Sequence, residues 1–498
     1  TVIGLMAHST ESLEEFALQI RSEGFQSIVL MAMGGSAMAP KVFNTTLPRA
    51  KGYPPLFVLD STVPEMIQVV VDAIDLGKTL FIVASKSGET IEVTSLYKYF
   101  RYRVDQQIGT ESAGNHFIAI TDPGTPLETL AQNGNFRKVF LNPETVGGRF
   151  SGLSLFGLVP AALMGADIKG FVESVDSMRN RCKPEKSSVE NPGVLLGTTM
   201  GSLALKGIDK LTLITSPSLE DFGLWVEQMI AESLGKENSG IIPIANEPRL
   251  QPETYAKDRL FIHLNLEGDE VSEIEEFLQS MENLNHPIIR LNLTGLEDLG
   301  SELFRWAFAT AIAGHLLGVN PFDQPSVQAA KDFTEKELAE YKLNGVLLST
   351  QSDSTMENLL IHASPGDYLA LLSYLPESAA IDTILCEIRT VIQNHYKIAT
   401  TAGYGPRYLH STGQLHKGGP DTGLFVQFVT NPSLDLDIPG AGYTFGLLAE
   451  AQARGDIRAL QEQGRRVIRV QLGVDPVSDL ITIRDSLSPL ENPSSSHI

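Results

Sequence analysis

The sequence predicts an α/β protein built on parallel sheets. Short apolar runs recur along the chain, roughly 25–35 residues apart, and helical periodicity fills the gaps between them. The runs are apolar throughout rather than alternating, which marks strands covered on both faces.

The first set of expected strands is Ser27–Met31, Leu56–Leu59, Leu80–Ala84 and Phe117–Thr121, with a helix over Thr90–Arg101. A mainly helical stretch, about 150–200, leads to a second set: Leu211–Ile214, Ile241–Ile244, Leu260–Leu264 and Ile288–Leu291. A third set follows the charged helix Lys331–Lys342. It comprises Gly345–Ser349, Tyr368–Tyr374, Gly423–Val429 and Arg466–Leu472, with helices near 378–397 and 443–463. At ~150 residues per domain, 498 residues make about three domains. The sets place these at 1–190, 191–343 and 344–490, with 491–498 as a disordered tail.

Charge excludes several function classes. Thirty-eight basic residues against sixty acidic ones leave a net charge of −22. Such a surface repels phosphate backbones and anionic membranes, so neither nucleic acid nor membrane is an expected partner. An anionic small substrate would need a local pocket of N–H groups, hydroxyls and an Arg or Lys. The two cysteines, Cys182 and Cys386, make neither a disulfide framework nor a metal spacing, and a reducing cytoplasm is expected. No apolar run approaches the length of a membrane span, and the first residues lack the regions of a signal peptide. The chain begins at Thr1, as a processed protein or a piece of a longer one would.

Four segments carry chemistry. The loop Met33-Gly34-Gly35-Ser36 follows the first strand, where open α/β sheets hold ligands at the strands' carboxyl ends. Its glycines let backbone approach a ligand, and Ser36 adds a hydroxyl. The loop Ser85-Lys86-Ser87-Gly88-Glu89-Thr90 follows the third strand and offers hydroxyls and N–H groups at a helix start. It reads equally as an ordinary cap with Ser87 at N-cap and Thr90 at N3. Arg149, in Gly147-Gly148-Arg149-Phe150-Ser151, suits a developing oxyanion or a surface turn. Gln228 and Glu232 are four apart on one helical face, with Gly235 as the helix stop. A carboxylate in that last turn faces the negative end of the dipole, which raises its pKa toward that of a general base. Alone it is also an ordinary solvated Glu. His410 and His416 form a loose pair, two ligands short of a zinc site.

Together these segments resemble the phosphoglucose isomerase family. Gly-Gly-Ser, Ser-Lys-Ser-Gly-x-Thr, Val146–Ser151 (VGGRFS) and Gln228…Glu232-Ser-Leu-Gly-Lys follow its motifs. Leu316–Lys331 (LLGVNPFDQPSVQAAK) and Tyr408–Gln414 (YLHSTGQ) are similar to two more. The resemblance implies two sugar-isomerase (SIS-type) three-layer domains, the first carrying phosphate loops and the second the catalytic Glu and Lys. It implies hexose 6-phosphate as substrate, interconversion of glucose and fructose 6-phosphates, no cofactor or metal, and a homodimer; the alternatives are an isomerase of another hexose phosphate such as mannose 6-phosphate and a non-catalytic sugar-phosphate sensor on the same fold. Carried over, Gly35, Ser36, Ser85, Lys86, Ser87 and Thr90 would hold the phosphate and Gln228 would line the pocket. Arg149 would stabilise an enediolate, Glu232 would be the base, and His410 with Lys331 would assist ring opening.

One departure matters. The family's His segment lies between its Glu and Lys segments, whereas His410 follows both Glu232 and Lys331. An additional C-terminal α/β domain is therefore expected to bring His410 to the Glu232 pocket, in cis or across a dimer. This layout resembles the isomerase part of transaldolase–phosphoglucose isomerase fusions. That likeness implies an upstream transaldolase domain in the parent chain; no residue here carries the transaldolase barrel.

Overall fold

The structure is a computed structural model, and it describes residues 2–347 and 355–487. Thirteen strands are described: β1 Ser27–Met31, β2 Leu56–Leu59, β3 Thr79–Ala84, β4 Phe117–Thr121, β5 Lys138–Leu141, β6 Lys210–Thr215, β7 Ile242–Ile244, β8 Arg259–Leu266, β9 Ile288–Leu293, β10 Tyr368–Tyr374, β11 Ala399–Tyr404, β12 Gly423–Val429 and β13 Arg466–Gln471. They form three parallel sheets, ordered β2-β1-β3-β4-β5, β7-β6-β8-β9 and β11-β10-β12-β13. All three share one topology, in which the second strand lies outside the first and the third crosses to its other side.

The apolar runs have a direct explanation in the first sheet. Ile28, Leu30, Leu80, Ile82, Ile118 and Ile120 pack on one face, against helices shared with the second sheet. Val29, Met31, Phe81, Val83, Phe117 and Ala119 alternate with them and pack on the opposite face. Both faces are dry, so no polar residue interrupts these strands.

The helix Phe222–Leu234 sits where the three sheets meet. Trp225, Val226, Met229 and Ile230 join the core of the first two sheets. Ala231 packs with Ile242 and Ile244 of β7 against Tyr368, Ala370 and Leu372 of β10. Tyr408, Leu409 and Leu415 belong to the same cluster, so the segment around His410 is glued to this helix by apolar contacts.

Several sequence expectations change. Two edge strands, β5 and β11, lie outside the expected sets; edge strands pack on fewer neighbours, and ATTAGY in particular has no large aliphatic residue. The helix expected from Thr90 to Arg101 runs Ile91–Ile108 with Thr90 as its N-cap, so Ser87 is not the cap residue. The helix expected at Lys331–Lys342 spans Val327–Asn344, and Gly345, in the left-handed region at φ 73°, ends it. Gly345 therefore does not start a strand. Residues 348 and 349 of that expected strand, and the tail 491–498, lie outside the described residues.

Candidate active site

The carboxyl ends of β1, β3 and β4 open into a cleft of about 510 Å³. Gly35, Ser36, Ser85, Lys86, Ser87, Thr90, Arg149, Gln228, Glu232, Lys331 and His410 all line it, in one chain.

The hydroxyl end is built by two strand-to-helix turns. Gly34 adopts φ 59° and starts the helix Gly35–Thr46, and Ser36 Oγ donates to Met33 O at 2.8 Å. A Cβ on Gly35 would lie 1.9 Å from Gly148 O, so only glycine lets this turn meet the Arg149 segment. In the second turn Ser85 Oγ and Thr90 Oγ1 share a hydrogen bond of 2.8 Å. Gly88 N donates to Ser85 Oγ and Glu89 N to Ser87 Oγ, which folds the loop around its own hydroxyls. Lys86 Nζ pairs with Asp122, which follows β4, and donates to Glu144 O. Its charge is thereby balanced, which leaves hydroxyls and N–H groups as the unneutralised polar groups at this end.

The centre of the cleft holds a buried pair. Arg149 Nη1 donates to Glu232 Oε1 at 2.9 Å and to Gln324 Oε1 at 3.1 Å. Arg149 Nη2 donates to Pro321 O at 2.7 Å and Asp323 O at 2.8 Å, so the guanidinium fork is clamped by the NPFDQPS segment. Lys236 Nζ donates to Asn320 O and Asp323 O of the same segment and fastens it to the end of the Glu232 helix. Gln228 Nε2 donates to Glu232 Oε2 at 3.1 Å and to His410 O at 2.9 Å. Burial pushes the Glu232 carboxyl above its ordinary pKa, and the charge of Arg149 and the bond from Gln228 offset only part of the shift.

The far end is set by His410, on a 3₁₀ turn Arg407–His410 after β11. Its Nε2 lies 2.8 Å from Glu92 Oε1. Glu92 is buried in the first turn of the helix Ile91–Ile108 and also accepts from Gln452 Nε2 at 2.7 Å. Gln452 is fixed in turn by Thr62 Oγ1. Burial pushes the Glu92 carboxyl up, but the charge and hydrogen bond of His410 outweigh it, and Glu92 stays below the ordinary range. Lys331 lies on the exposed side of this end, one turn into its helix.

Glu92, Gln324, Asp122 and Gln452 are not among the residues the sequence singles out. Glu92 lies two residues beyond Thr90 and Gln324 lies inside the NPFDQPS segment, so proximity to recognisable motifs is the only signal for either. Gln452 lies in an ordinary helical stretch. The loose His pair does not come together as a metal site. His416 is buried against Phe425 and held neutral by burial, while His410 turns to Glu92. Among the described residues no group of three or more His, Cys, Asp or Glu could hold a metal ion. No described helix is long and apolar enough to cross a membrane.

Comparison with known proteins gives the following. Residues 14–240 match the family model described as phosphoglucose isomerase. A probable glucose-6-phosphate isomerase of Methanococcus maripaludis is 29% identical over 367 residues, covering 66% of this chain and 82% of that protein. A glucose-6-phosphate isomerase of Prochlorococcus marinus is 30% identical over 351 residues, covering 63% of this chain and 66% of that protein. A solved hypothetical protein from Thermus thermophilus superposes with TM-score 0.59 at 25% identity, covering 67% of this chain and 89% of that one. A glucose-6-phosphate isomerase from Chlamydia trachomatis shares the fold at TM-score 0.56 and 21% identity, covering 67% and 74%.

Proposed function

The chain belongs to the phosphoglucose isomerase family, and on that premise we propose that it interconverts glucose 6-phosphate and fructose 6-phosphate in this cleft. The observation that carries the reading is the buried Glu232–Arg149 pair, with a hydroxyl cradle on one side and the His410–Glu92 pair on the other.

In this reading the phosphate lies among Ser36, Ser85, Ser87 and Thr90 and the N–H groups of Gly35 and Lys86. That end fixes the sugar and brings its first two carbons to Glu232. His410, oriented by Glu92, and Lys331 exchange a proton with the ring oxygen and open the ring. Imidazole suits this step because it both gives and takes a proton near neutral pH. Glu232 then removes the proton on C2 and returns it to C1 through a cis-enediol. A single carboxylate serves both carbons because they are adjacent and the enediol is planar. Negative charge develops on the sugar oxygens during the transfer. Arg149 meets it already clamped by Pro321 O, Asp323 O and Gln324, so little reorganisation is needed. The raised pKa of Glu232 gives it the basicity that abstraction from carbon demands. The scheme calls for no metal and no organic cofactor.

The test is a coupled assay that supplies fructose 6-phosphate and reads glucose 6-phosphate, run beside Glu232→Gln. Turnover should fall by about 10²–10⁴-fold in the variant, with sugar phosphate still bound. An inactive parent chain would overturn the reaction assigned, and substantial turnover in the variant would move the base elsewhere.

A further inference from the structure

The turn that carries His410 is held from behind by a half-buried ion cluster centred on the buried Asp60. Arg407 Nε donates to Asp60 Oδ2 at 2.6 Å and Nη2 to Asp60 Oδ1 at 2.8 Å. The same Nη2 donates to Glu377 Oε2 at 2.7 Å. Asp60 directly follows β2 of the first sheet, and Glu377 follows β10 of the third. Lys41, on the helix that starts at Gly35, reaches Glu377 at 3.5 Å. Arg407 thus ties the first and third sheets together at the base of the turn, three residues before His410.

Such a cluster is a poor way to gain stability. Desolvating several charges costs about as much as their attraction returns, and apolar residues of similar volume would do as well. What the bidentate fork adds is direction. A planar guanidinium locked to one carboxylate fixes both the position and the rotation of the backbone that bears it. The His410 imidazole must span from that backbone to Glu92, on a helix of the first sheet, while its carbonyl accepts from Gln228 on the central helix. A small slide of the third sheet against the first would break this alignment.

We propose that Arg407 is a positioning residue for His410: through Asp60 and Glu377 it fixes the turn between the first and third sheets and so governs ring opening, without a part in the proton transfer at Glu232. This rests on the assignment of ring opening to His410 made above.

The test compares two substrates in the full chain. One is fructose 6-phosphate. The other is its analogue lacking the 5-hydroxyl, which is held open because the remaining ring-closing oxygen carries the phosphate. Solvent deuterium incorporation at C1 follows the proton transfer with both. Arg407→Met should lower kcat on fructose 6-phosphate by about 30-fold or more, leave KM within about threefold, and leave the open analogue within about twofold of the parent. Arg407→Lys, which keeps the charge but loses the fork, should fall between. Combined with His410→Asn, Arg407→Met should add no further loss. Should Arg407→Met fold poorly, Asp60→Asn, Arg407→Met and Glu377→Gln together remove the orphaned charges and should show the same substrate pattern.

Equal losses on both substrates, or losses that add to those of His410→Asn, would overturn the proposal. If His410→Asn itself fails to distinguish the two substrates, the ring-opening assignment falls. If it distinguishes them and Arg407→Met does not, only the positioning role falls.

Discussion

Glu92 Oε1 accepts from His410 Nε2 at 2.8 Å across 318 residues of chain. Glu92 belongs to a helix that starts at the hydroxyl-rich loop Ser85–Thr90 of the first sheet, and His410 to a turn that follows a strand of the third. Their meeting joins the hydroxyl end of the cleft to its far end, and it sets which imidazole nitrogen is engaged by the carboxylate.

Glu92→Gln keeps the shape of the contact but removes the carboxylate charge that orients the imidazole. Turnover of fructose 6-phosphate should fall by about 10²-fold with KM little changed. Steady-state kinetics check this; a change confined to KM would place Glu92 in binding rather than in orienting His410.

Ser87→Ala with Thr90→Ala removes two hydroxyls from the cradle and breaks the Ser85–Thr90 bond. A hydrogen bond to a charged group contributes about 1.5–3 kcal/mol, so KM for the sugar phosphate should rise by at least about tenfold. Inorganic phosphate should weaken as an inhibitor by a similar factor, which inhibition kinetics would show.

The Gln228 amide donates to Glu232 and so favours its ionised form. In the proposed scheme Glu232 must be ionised to act as the base, so activity should fall as pH drops through its pKa. Gln228→Met removes the donor, raises that pKa further and should move the acid limb of the kcat/KM profile to higher pH. A limb that stays in place or moves to lower pH would contradict the assignment of Glu232.

Glu302 is buried and does not line the cleft; Arg305 is its partner at 3.1 Å. Burial pushes its carboxyl from 4.5 to about 7. The folded state therefore binds this proton more tightly than the unfolded chain does. The contribution is full below about pH 4.5 and is lost as pH rises through about 7. Across that window stability should fall by on the order of 3 kcal/mol on this account. Urea unfolding between pH 5 and 8 should show a shallower decline in Glu302→Gln than in the parent.

Gly235 ends the Glu232 helix, and a Cβ there would lie 2.4 Å from Leu415 Cα. Backbone faces backbone, so Gly235→Ala forces the His410 segment away from the helix. A stability loss of about 1–3 kcal/mol is expected, together with reduced turnover. Thermal unfolding and the isomerase assay test the two halves separately.

Much of the fold and site is legible in the order of the amino acids. The loops at Ser36 and Ser85 stand out because strand, turn and helix start follow one another within a dozen residues, and Gly35 marks a close approach whose partner is Gly148. Glu232 and Gln228 share a face by helical spacing alone. Ser87 reads as a cap because both Ser87 and Thr90 can cap, and only the backbone shows that the helix begins at Ile91. The edge strand Ala399–Tyr404 escapes a reading by apolar runs because it holds no run of large aliphatic residues, although it leads directly into the His410 turn.

The alternation of strand and helix, the parallel sheets that follow from dry faces on both sides, and the chemistry of each loop are written in the amino acids themselves. These are local properties, governed by side-chain periodicity and turn geometry over a few residues. The partners are set by tertiary packing: Arg149 with Glu232 across 83 residues, Arg149 with Pro321 O across 172, and His410 with Glu92 across 318. Those distances close only when three sheets pack around one central helix, and that packing follows from apolar surfaces shared between distant segments rather than from any pattern within one of them.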